Sequence, residues 1–211
     1  MKRGFYFFRH GQTDYNIERR SQGWLDTKLN EKGIAQAYEL AKKLSDIKFD
    51  CIYSSPLSRA LTTAKIVSEH TNVKIIIDDG LKERNMGIIG GHLIRLTDAP
   101  INTPIYFESD TIVIPSKLFF DEDYAPENGE SYNMYAKRVL NTIIKIAKNT
   151  EAQTVGVAVH SGVIRVLLGS IMNIKFPPGS IPNAEFIRTQ WDGERFILPE
   201  IPDWLLEYQQ S

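Results

Sequence analysis

Short apolar runs of strand length alternate along this chain with longer segments in which apolar residues recur every three or four positions. The first run, Gly4 to Phe8, is rich in aromatics and ends at Arg9, a pattern typical of a strand buried on both faces. Further strands are expected at 51–53, 73–77, 154–159, 186–189 and 196–198.

Four segments between these runs have the spacing of amphipathic helices. Asn30 is placed to cap the first helix, whose predicted buried face contains Ile34, Ala37, Tyr38, Ala41 and Leu44. Ser55 as N-cap, followed by Pro56, predicts the start of the second helix. The third is expected to begin at Ser131, and the fourth to span 162–172.

Strands that alternate with helices predict βαβ units. The expected fold class is therefore α/β, with a mostly parallel central sheet covered by helices on both faces. Between Gly87 and Gly129 the periodicity is lost, and prolines 100, 104, 115 and 126 interrupt the segment. We interpret residues 87–129 as a lid inserted over the site, within a single domain that spans residues 1–211.

Composition and charge narrow the class of protein. With 211 residues, 42% hydrophobic and 24% charged, the chain has the balance of a globular domain, which excludes disorder and a fibrous class. A formal net charge of −1 gives no reason to expect nucleic acid or a membrane as partner. The single cysteine, Cys51, cannot form an internal disulfide, and the apolar run after Met1 is too short for a signal peptide. We therefore expect a cytoplasmic protein.

Two of the four histidines, His10 and His160, directly follow predicted strands. Ligands of open parallel sheets bind beyond the carboxyl ends of the strands, so both imidazoles would meet in one crevice if their strands are neighbours. Arg59, in the first turn of the predicted second helix, would face the same crevice. Because Arg9, Arg59 and a helix N-terminus together offer forked donors and a positive dipole end, the sequence favours a phosphate pocket.

Such a pocket suits nucleophilic catalysis by His10. A neutral imidazole nitrogen can attack phosphorus when the opposite ring nitrogen is protonated and held by a backbone carbonyl. The guanidinium groups would stabilise the developing charge and lower the histidine pKa. Glu83, which follows the third predicted strand, is the candidate acid for the leaving group and then the base for water. Glu31 and Glu130 are the other carboxylates in neighbouring motifs.

Short motifs occur in a fixed order over roughly residues 4 to 170. They are Arg9-His10-Gly11-Gln12-Thr13 with Asn16, Gln22-Gly23-Trp24-Leu25-Asp26, Ser54-Ser55-Pro56-Leu57-Ser58-Arg59-Ala60, Glu83, Gly129-Glu130-Ser131 and His160-Ser161-Gly162. As an ordered set they resemble the signature of the histidine phosphatase superfamily, the phosphoglycerate-mutase-like enzymes.

The resemblance implies a three-layer αβα sandwich, a covalent phosphohistidine intermediate, and no metal or other cofactor. It assigns His10 as nucleophile and Glu83 as acid and base, with Arg9, Arg59 and His160 binding phosphate. Further phosphate contacts are implied for Asn16, Gln22, Gly23 and Ser161. The implied partner is a small-molecule phosphate ester, and the sequence indicates neither which ester nor an oligomeric state.

The chain departs from the family pattern at three places. The segment from Arg84 to Gly91 lacks the tryptophan and glutamate that relatives commonly have there. Position 161 is serine where glycine is usual. The lid lacks the recognisable sequence of the mutase branch.

The lid composition bears on the substrate. Between Gly91 and Glu127 two basic residues stand against seven acids, a formal charge of −5 that would repel a bisphosphate or a phosphorylated carboxylate. Aromatic residues in the same segment favour an ester with an apolar, cyclic or cationic leaving group. We therefore predict a phosphomonoester hydrolase.

Three other functions stay open at this stage. The first alternative is a cofactor-dependent phosphotransferase of the phosphoglycerate mutase type. A non-catalytic module that keeps the pocket to recognise a phosphate ligand is the second. A metal-dependent hydrolase is the weakest, because no clustered histidine and carboxylate spacing is visible.

Overall fold

The computed structural model describes residues 2–176 and 179–209. The strands are β1 (Arg3–Arg9), β2 (Cys51–Ser54), β3 (Ile75–Ile77), β4 (Leu93–Thr97), β5 (Tyr106–Glu108), β6 (Thr111–Pro115), β7 (Thr154–Val159), β8 (Phe186–Trp191) and β9 (Phe196–Ile197). The helices are α1 (Asp14–Ile17), α2 (Glu31–Lys43), α3 (Ser58–Thr71), α4 (Ser116–Phe119), α5 (Tyr132–Asn149), α6 (Ser161–Met172) and α7 (Asp203–Gln209). In the described part of the chain, no helix has both the length and the apolar character needed to cross a bilayer.

The central sheet has six strands in the order β3-β2-β7-β1-β8-β9. The first four are mutually parallel, β8 pairs antiparallel with β1, and β9 pairs antiparallel with β8. The predicted α/β class with a mostly parallel sheet is therefore confirmed. Because β1 and β7 are direct neighbours, with Arg9 opposite Val159, their carboxyl ends lie side by side.

Side chains of β1 alternate between two apolar cores, one on each face of the sheet. Phe5 and Phe7 belong to the core that contains residues of α5 and α6. Tyr6 and Phe8 belong to the core that contains residues of α2 and α3. Burial of each such side chain contributes about 1.5–3 kcal/mol. This aromatic strand thus holds the sheet between two helical layers, as the sandwich requires.

Two details of the helices differ from the prediction. For α2, the predicted Ala37, Ala41 and Leu44 are buried together with Leu40, whereas the predicted Ile34 and Tyr38 are exposed. The small alanines allow close packing of α2 against the sheet, which leaves the larger residues at the margin of the contact.

The predicted cap of α3 by Ser55 is wrong. The helix begins at Ser58, and its first residue is capped from a distant loop by Asp26, whose carboxylate accepts from the Ser58 backbone N–H at 2.6 Å and from its hydroxyl at 2.7 Å. The Ser55 hydroxyl is therefore available for a hydrogen bond outside the helix.

Residues 87–129 contain regular structure that the sequence pattern did not reveal. The strands β4, β6 and β5 form a separate mixed sheet in that order. It has its own apolar cluster around Ile89, Ile112 and Ile114. The strands are short and proline-interrupted, so neither a helical nor an alternating period could build up in the sequence.

Candidate active site

His10 and His160 meet at the carboxyl end of the central sheet. His10 follows β1, and its backbone N–H donates to the carbonyl of Val159 at 3.1 Å, which ties it to the end of β7. His160 follows β7 and precedes α6. The two ring centroids are 5.3 Å apart at an interplanar angle of 62°, and both side chains are buried. The structure therefore places the two histidines in one crevice.

The imidazole of His10 is held in a single orientation. Its Nδ1 lies 2.7 Å from the carbonyl oxygen of Gly11, so Nδ1–H donates and the lone pair is on Nε2. Burial lowers the pKa of His10 well below 6.5, and the positive charges of Arg9 and Arg59 add to this effect. The ring is thus neutral near neutral pH, with its lone pair at Nε2.

The turn after His10 is fixed by close packing. The Gly11 N–H donates to the Thr63 hydroxyl at 3.2 Å, and that hydroxyl donates to the Arg59 carbonyl at 2.8 Å. A Cβ at Gly11 would lie 2.2 Å from the carbonyl oxygen of Gly33, so glycine is needed at this close approach. This packing joins the loop after His10 to α3 and to the arginine in its first turn.

Two guanidinium groups stand near His10, that of Arg59 fully buried and that of Arg9 partly buried. Arg59 donates to the carbonyls of Leu25 and Gly23, each at 2.8 Å, and Arg9 donates to the carbonyl of Ile181. In both, Nε has no hydrogen-bond partner among the residues described. Burial lowers the pKa of each arginine to about 10, against the opposing charge of Glu83, and both remain protonated at neutral pH. Buried cations with free donors suit an anionic ligand such as phosphate.

Ser55 determines how His160 faces the crevice. The Leu57 N–H donates to the Ser55 hydroxyl at 3.4 Å, and the hydroxyl lies 2.8 Å from Nε2 of His160. Burial lowers the pKa of His160 well below 6.5, with Arg59 and Arg9 contributing. A neutral ring that accepts at Nε2 carries its proton on Nδ1, which has no partner in the described structure. His160 can therefore donate to an anion through Nδ1–H.

The carboxylate of Glu83 lies beside the start of α6 and accepts three hydrogen bonds. Its Oε1 accepts from the Tyr135 hydroxyl at 2.7 Å and the Arg84 N–H at 2.9 Å, whereas Oε2 accepts only from the Gly162 N–H at 3.0 Å. Burial would raise the pKa of Glu83, but these hydrogen bonds and the charge of Arg165 hold it below 4.5. Oε2 has the spare lone pair, so it is the oxygen that can exchange a proton with a ligand.

The remaining motif side chains present amide donors. Asn16 uses its Oδ1 to accept from the Thr13 N–H at 3.1 Å and the Asn183 amide at 3.2 Å. Gln22 likewise accepts through Oε1, from the hydroxyls of Thr13 and Thr27. The amide nitrogens of both are left to donate.

Gly23 and Ser161 complete the predicted set. Gly23 has a φ of +53° and sits against Met86, where a Cβ would approach the backbone to 2.9 Å. The buried hydroxyl of Ser161 has no partner within the described residues. The Ser161 side chain thus places a hydroxyl group directly after His160, and this hydroxyl is available to bind a ligand.

Sequence reasoning missed three residues around this site. Arg165 lies in α6 within the electrostatic reach of Arg9 and Glu83, and its Nε is buried without a partner among the residues that the structure covers. Tyr135 binds Glu83, and Asn183 binds Asn16. The sequence did carry a signal for Arg165, because it is the only charged residue in the apolar helix α6.

The other two histidines lie outside the site, and Glu130 is paired with an arginine. His70 bonds to the carbonyl of Ile66 within α3, and His92 contacts the ring of Phe107 in the small sheet. Glu130 is bound by Arg138 at 2.7 Å. Across residues 2–176 and 179–209, no three His, Cys, Asp or Glu side chains are grouped so that they could hold a metal ion.

Comparisons with known proteins agree with this geometry. The profile of the family described as "Histidine phosphatase superfamily (branch 1)" matches residues 5–203. Phosphoserine phosphatase 1 of Hydrogenobacter thermophilus is 31% identical over 90% of this chain and 87% of that protein. The 2,3-bisphosphoglycerate-dependent phosphoglycerate mutase of Bartonella henselae is 32% identical over 80% of this chain and 81% of its own.

A solved structure shows the same overall arrangement. Mycobacterial glucosyl-3-phosphoglycerate phosphatase in complex with VO3 superimposes with a TM-score of 0.72 and 30% sequence identity. The match covers 94% of this chain and 98% of that one. The relatives thus include both phosphatases and mutases.

Proposed function

Because the chain belongs to branch 1 of the histidine phosphatase superfamily, we propose that it hydrolyses the phosphate monoester of a small metabolite through a covalent phosphohistidine on His10. The observation that carries the proposal is the orientation of His10, whose Nδ1 is held at 2.7 Å by the Gly11 carbonyl so that Nε2 is free to attack. Arg9, Arg59 and His160 supply the surrounding donors.

In the first step Nε2 of His10 forms a bond to phosphorus while the bond from phosphorus to the ester oxygen breaks. The guanidinium groups of Arg9 and Arg59 stabilise the charge on the transferring oxygens. The departing alkoxide takes a proton from Oε2 of Glu83. Amide donors from Asn16 and Gln22, together with the Ser161 hydroxyl and the backbone at Gly23, add contacts to the same oxygens.

In the second step water attacks the phosphohistidine. Glu83, now a carboxylate, accepts a proton from the water as the bond between oxygen and phosphorus forms and the bond from Nε2 breaks. Inorganic phosphate and neutral His10 result. The lowered pKa of Glu83 in the free site suits this base role. A phosphate dianion near Glu83 raises its pKa again, which prepares it for the acid role.

Phosphoryl trapping tests the nucleophile. After mixing with p-nitrophenyl phosphate, acid-labile phosphate should appear on His10 and be absent from His10→Ala. It should accumulate in Glu83→Gln, because nitrophenolate leaves without a proton whereas water attack lacks its base. Tight ester binding without turnover or label would instead identify a non-catalytic binding module.

The reaction is expected to need no metal. Activity that is unchanged after dialysis against excess chelator would support direct attack by His10. Activity that is lost in chelator and restored by one divalent ion would contradict it. We also expect the buried thiol of Cys51 to stay unpaired, as in a cytoplasmic protein.

Residues 87–129 are proposed to act as a lid that selects the leaving group. Exposed aromatics at Tyr106, Phe107 and Phe120 support an apolar, cyclic or cationic leaving group. A panel of metabolite monophosphates, assayed for released phosphate, tests this preference.

Phosphoryl transfer of the mutase type is the second candidate, and one observation favours it. Two lid acids are paired with basic residues from outside the lid, Asp110 with Arg20 at 2.6 Å and Glu122 with Lys175 at 2.5 Å. The lid therefore repels an anionic leaving group less than its formal charge suggests. Formation of 2-phosphoglycerate from 3-phosphoglycerate, dependent on added 2,3-bisphosphoglycerate, would favour the mutase. Release of inorganic phosphate alone would favour the hydrolase.

A further inference from the structure

A single guanidinium group binds the chain segment that ends at Glu83. Arg138 in α5 donates to the carbonyls of Gly80 and Lys82, each at 3.0 Å, and to the carbonyl of Glu83 at 3.1 Å. The same group forms a forked pair with Glu130, from Nε to Oε1 and from Nη2 to Oε2, each at 2.7 Å. Arg138 therefore ties the backbone of the acid to a fixed point on α5.

Glu130 extends this connection to the base of the inserted segment. Its Oε2 also accepts from the Asn85 N–H at 2.9 Å, and its carbonyl accepts from Nε of Arg84 at 2.8 Å. Arg84 in turn donates to the carbonyl of Tyr124 at 3.0 Å. Both ends of residues 87–129 thus meet at Glu130, directly beside Glu83.

The pair is shielded from water. The exposed fractions of the side chains are 22% for Arg138 and 14% for Glu130, and this carboxylate is less exposed than that of any other Arg–carboxylate pair in the described structure, where the values are 30% to 51%. Burial would raise the pKa of Glu130, but hydrogen bonds from Arg138 and Asn85 hold it below 4.5. Both carboxylate oxygens are engaged, so Glu130 is not placed to exchange protons with a ligand.

We infer that Glu130 and Arg138 are positioning residues that fix Glu83 for proton transfer and couple its place to the base of the lid. The inference rests on the proposed function, since it requires Glu83 to be the acid and base. Without the forked pair the Arg138 guanidinium would no longer be held in place against the carbonyls of Gly80, Lys82 and Glu83. The Glu83 side chain could then move away from the oxygen of the leaving group. Displacement of a catalytic group by about 1 Å can cost up to about 100-fold in rate.

The Glu130→Gln variant keeps the side-chain size and removes the forked pair. We expect kcat to fall about 10- to 100-fold, while KM and competitive inhibition by inorganic phosphate change less than about threefold, because the phosphate donors are untouched. The apparent pKa that Glu83 contributes to the pH dependence of kcat should also shift. Unchanged kcat, or a loss confined to KM, would overturn the inference.

A double-variant cycle separates positioning from a general structural role. If Glu130 acts through Glu83, then Glu83→Gln combined with Glu130→Gln should be no slower than Glu83→Gln alone. Independent losses that multiply in the double variant would show that Glu130 merely supports the fold. If Glu83→Gln by itself retains full kcat, both the proposed acid role and this inference fail, whereas normal kcat in Glu130→Gln alone contradicts only the inference.

Two further variants serve as controls. Asp192→Asn makes the corresponding charge change in the exposed pair with Arg195, outside the lid and the site, and should leave kcat unaltered. Arg138→Lys keeps the charge but loses the fork, so it should recover part of the rate that Arg138→Met loses. Equal rates in the two Arg138 variants, with melting temperatures lowered equally, would count against positioning.

Discussion

The hydroxyl of Ser55 lies 2.8 Å from Nε2 of His160 and leaves Nδ1 of that ring without a partner inside the described structure. Ser55 is therefore the residue that sets the tautomer of the second histidine. Helix α3 begins at Ser58, three residues after Ser55, so the Ser55 hydroxyl does not cap the helix and is available to His160.

Replacement of Ser55 by alanine should weaken phosphate binding. The His160 Nε2 would lose its buried donor, and a proton shift to Nε2 would remove the donor that faces the anion. We expect kcat/KM to fall roughly 10-fold, the size of one lost buried hydrogen bond. Ser170→Ala, whose hydroxyl bonds only to the Leu167 carbonyl in α6, is the matched control and should behave as wild type.

Gly162→Ala should separate helix stability from activity. Alanine favours helix formation by about 1 kcal/mol over glycine, yet its Cβ would lie 2.2 Å from Oε1 of Glu83 and 2.6 Å from the Tyr135 hydroxyl. The carboxylate must move, so kcat should fall by at least about 10-fold. Gly4→Ala meets only contacts at 3.8 Å and provides the comparison. Retention of full kcat in Gly162→Ala would show that the position of Glu83 is not critical.

Arg165→Met should weaken inhibition by inorganic phosphate. The guanidinium lies near Arg9 and Glu83 and adds positive charge to the acid side of the site. Loss of one charged donor predicts about a tenfold rise in the inhibition constant. Arg195→Met changes an arginine that is 82% exposed and should not alter the inhibition. Identical inhibition constants for the two variants would place Arg165 outside the anion site.

Stability should fall as the solution becomes acidic. The folded state depresses the pKa of His10 and His160 below 6.5, so the unfolded chain binds more protons below that pH and the free energy of unfolding decreases there. Glu83, with a pKa below 4.5, adds a further loss at lower pH. Urea unfolding at pH 7 and pH 5 should show this decrease, and His160→Gln should reduce it. An equal decrease in the variant would exclude His160 as a cause.

Much of the fold followed from the sequence because its periodic signals were strong. The aromatic run of β1 and the helical spacing of α5 matched the observed elements. The small sheet of residues 87–129 was not predicted, because its strands have only three to five residues and pack against a separate apolar cluster. A local pattern of that length carries little information about pairing partners.

Site residues could be predicted from the sequence where a chemically suitable residue type directly follows a predicted strand. His10 and His160 were expected to meet if their strands were neighbours, and the order β7-β1 brings them together. Arg138 was missed because its contacts are long-range. A helix pattern does not show that a guanidinium on α5 reaches carbonyls more than 50 positions earlier in the chain.

The position of β1 has a consequence for the order of assembly. It is synthesised well before its neighbours in the sheet, β7 and β8, which lie far along the chain. The His10 turn therefore closes only after residues 154–191 have emerged and paired, which makes the proposed nucleophile a late product of folding. Until then the aromatic strand lacks both of its neighbours, and its unpaired edges are exposed to aggregation.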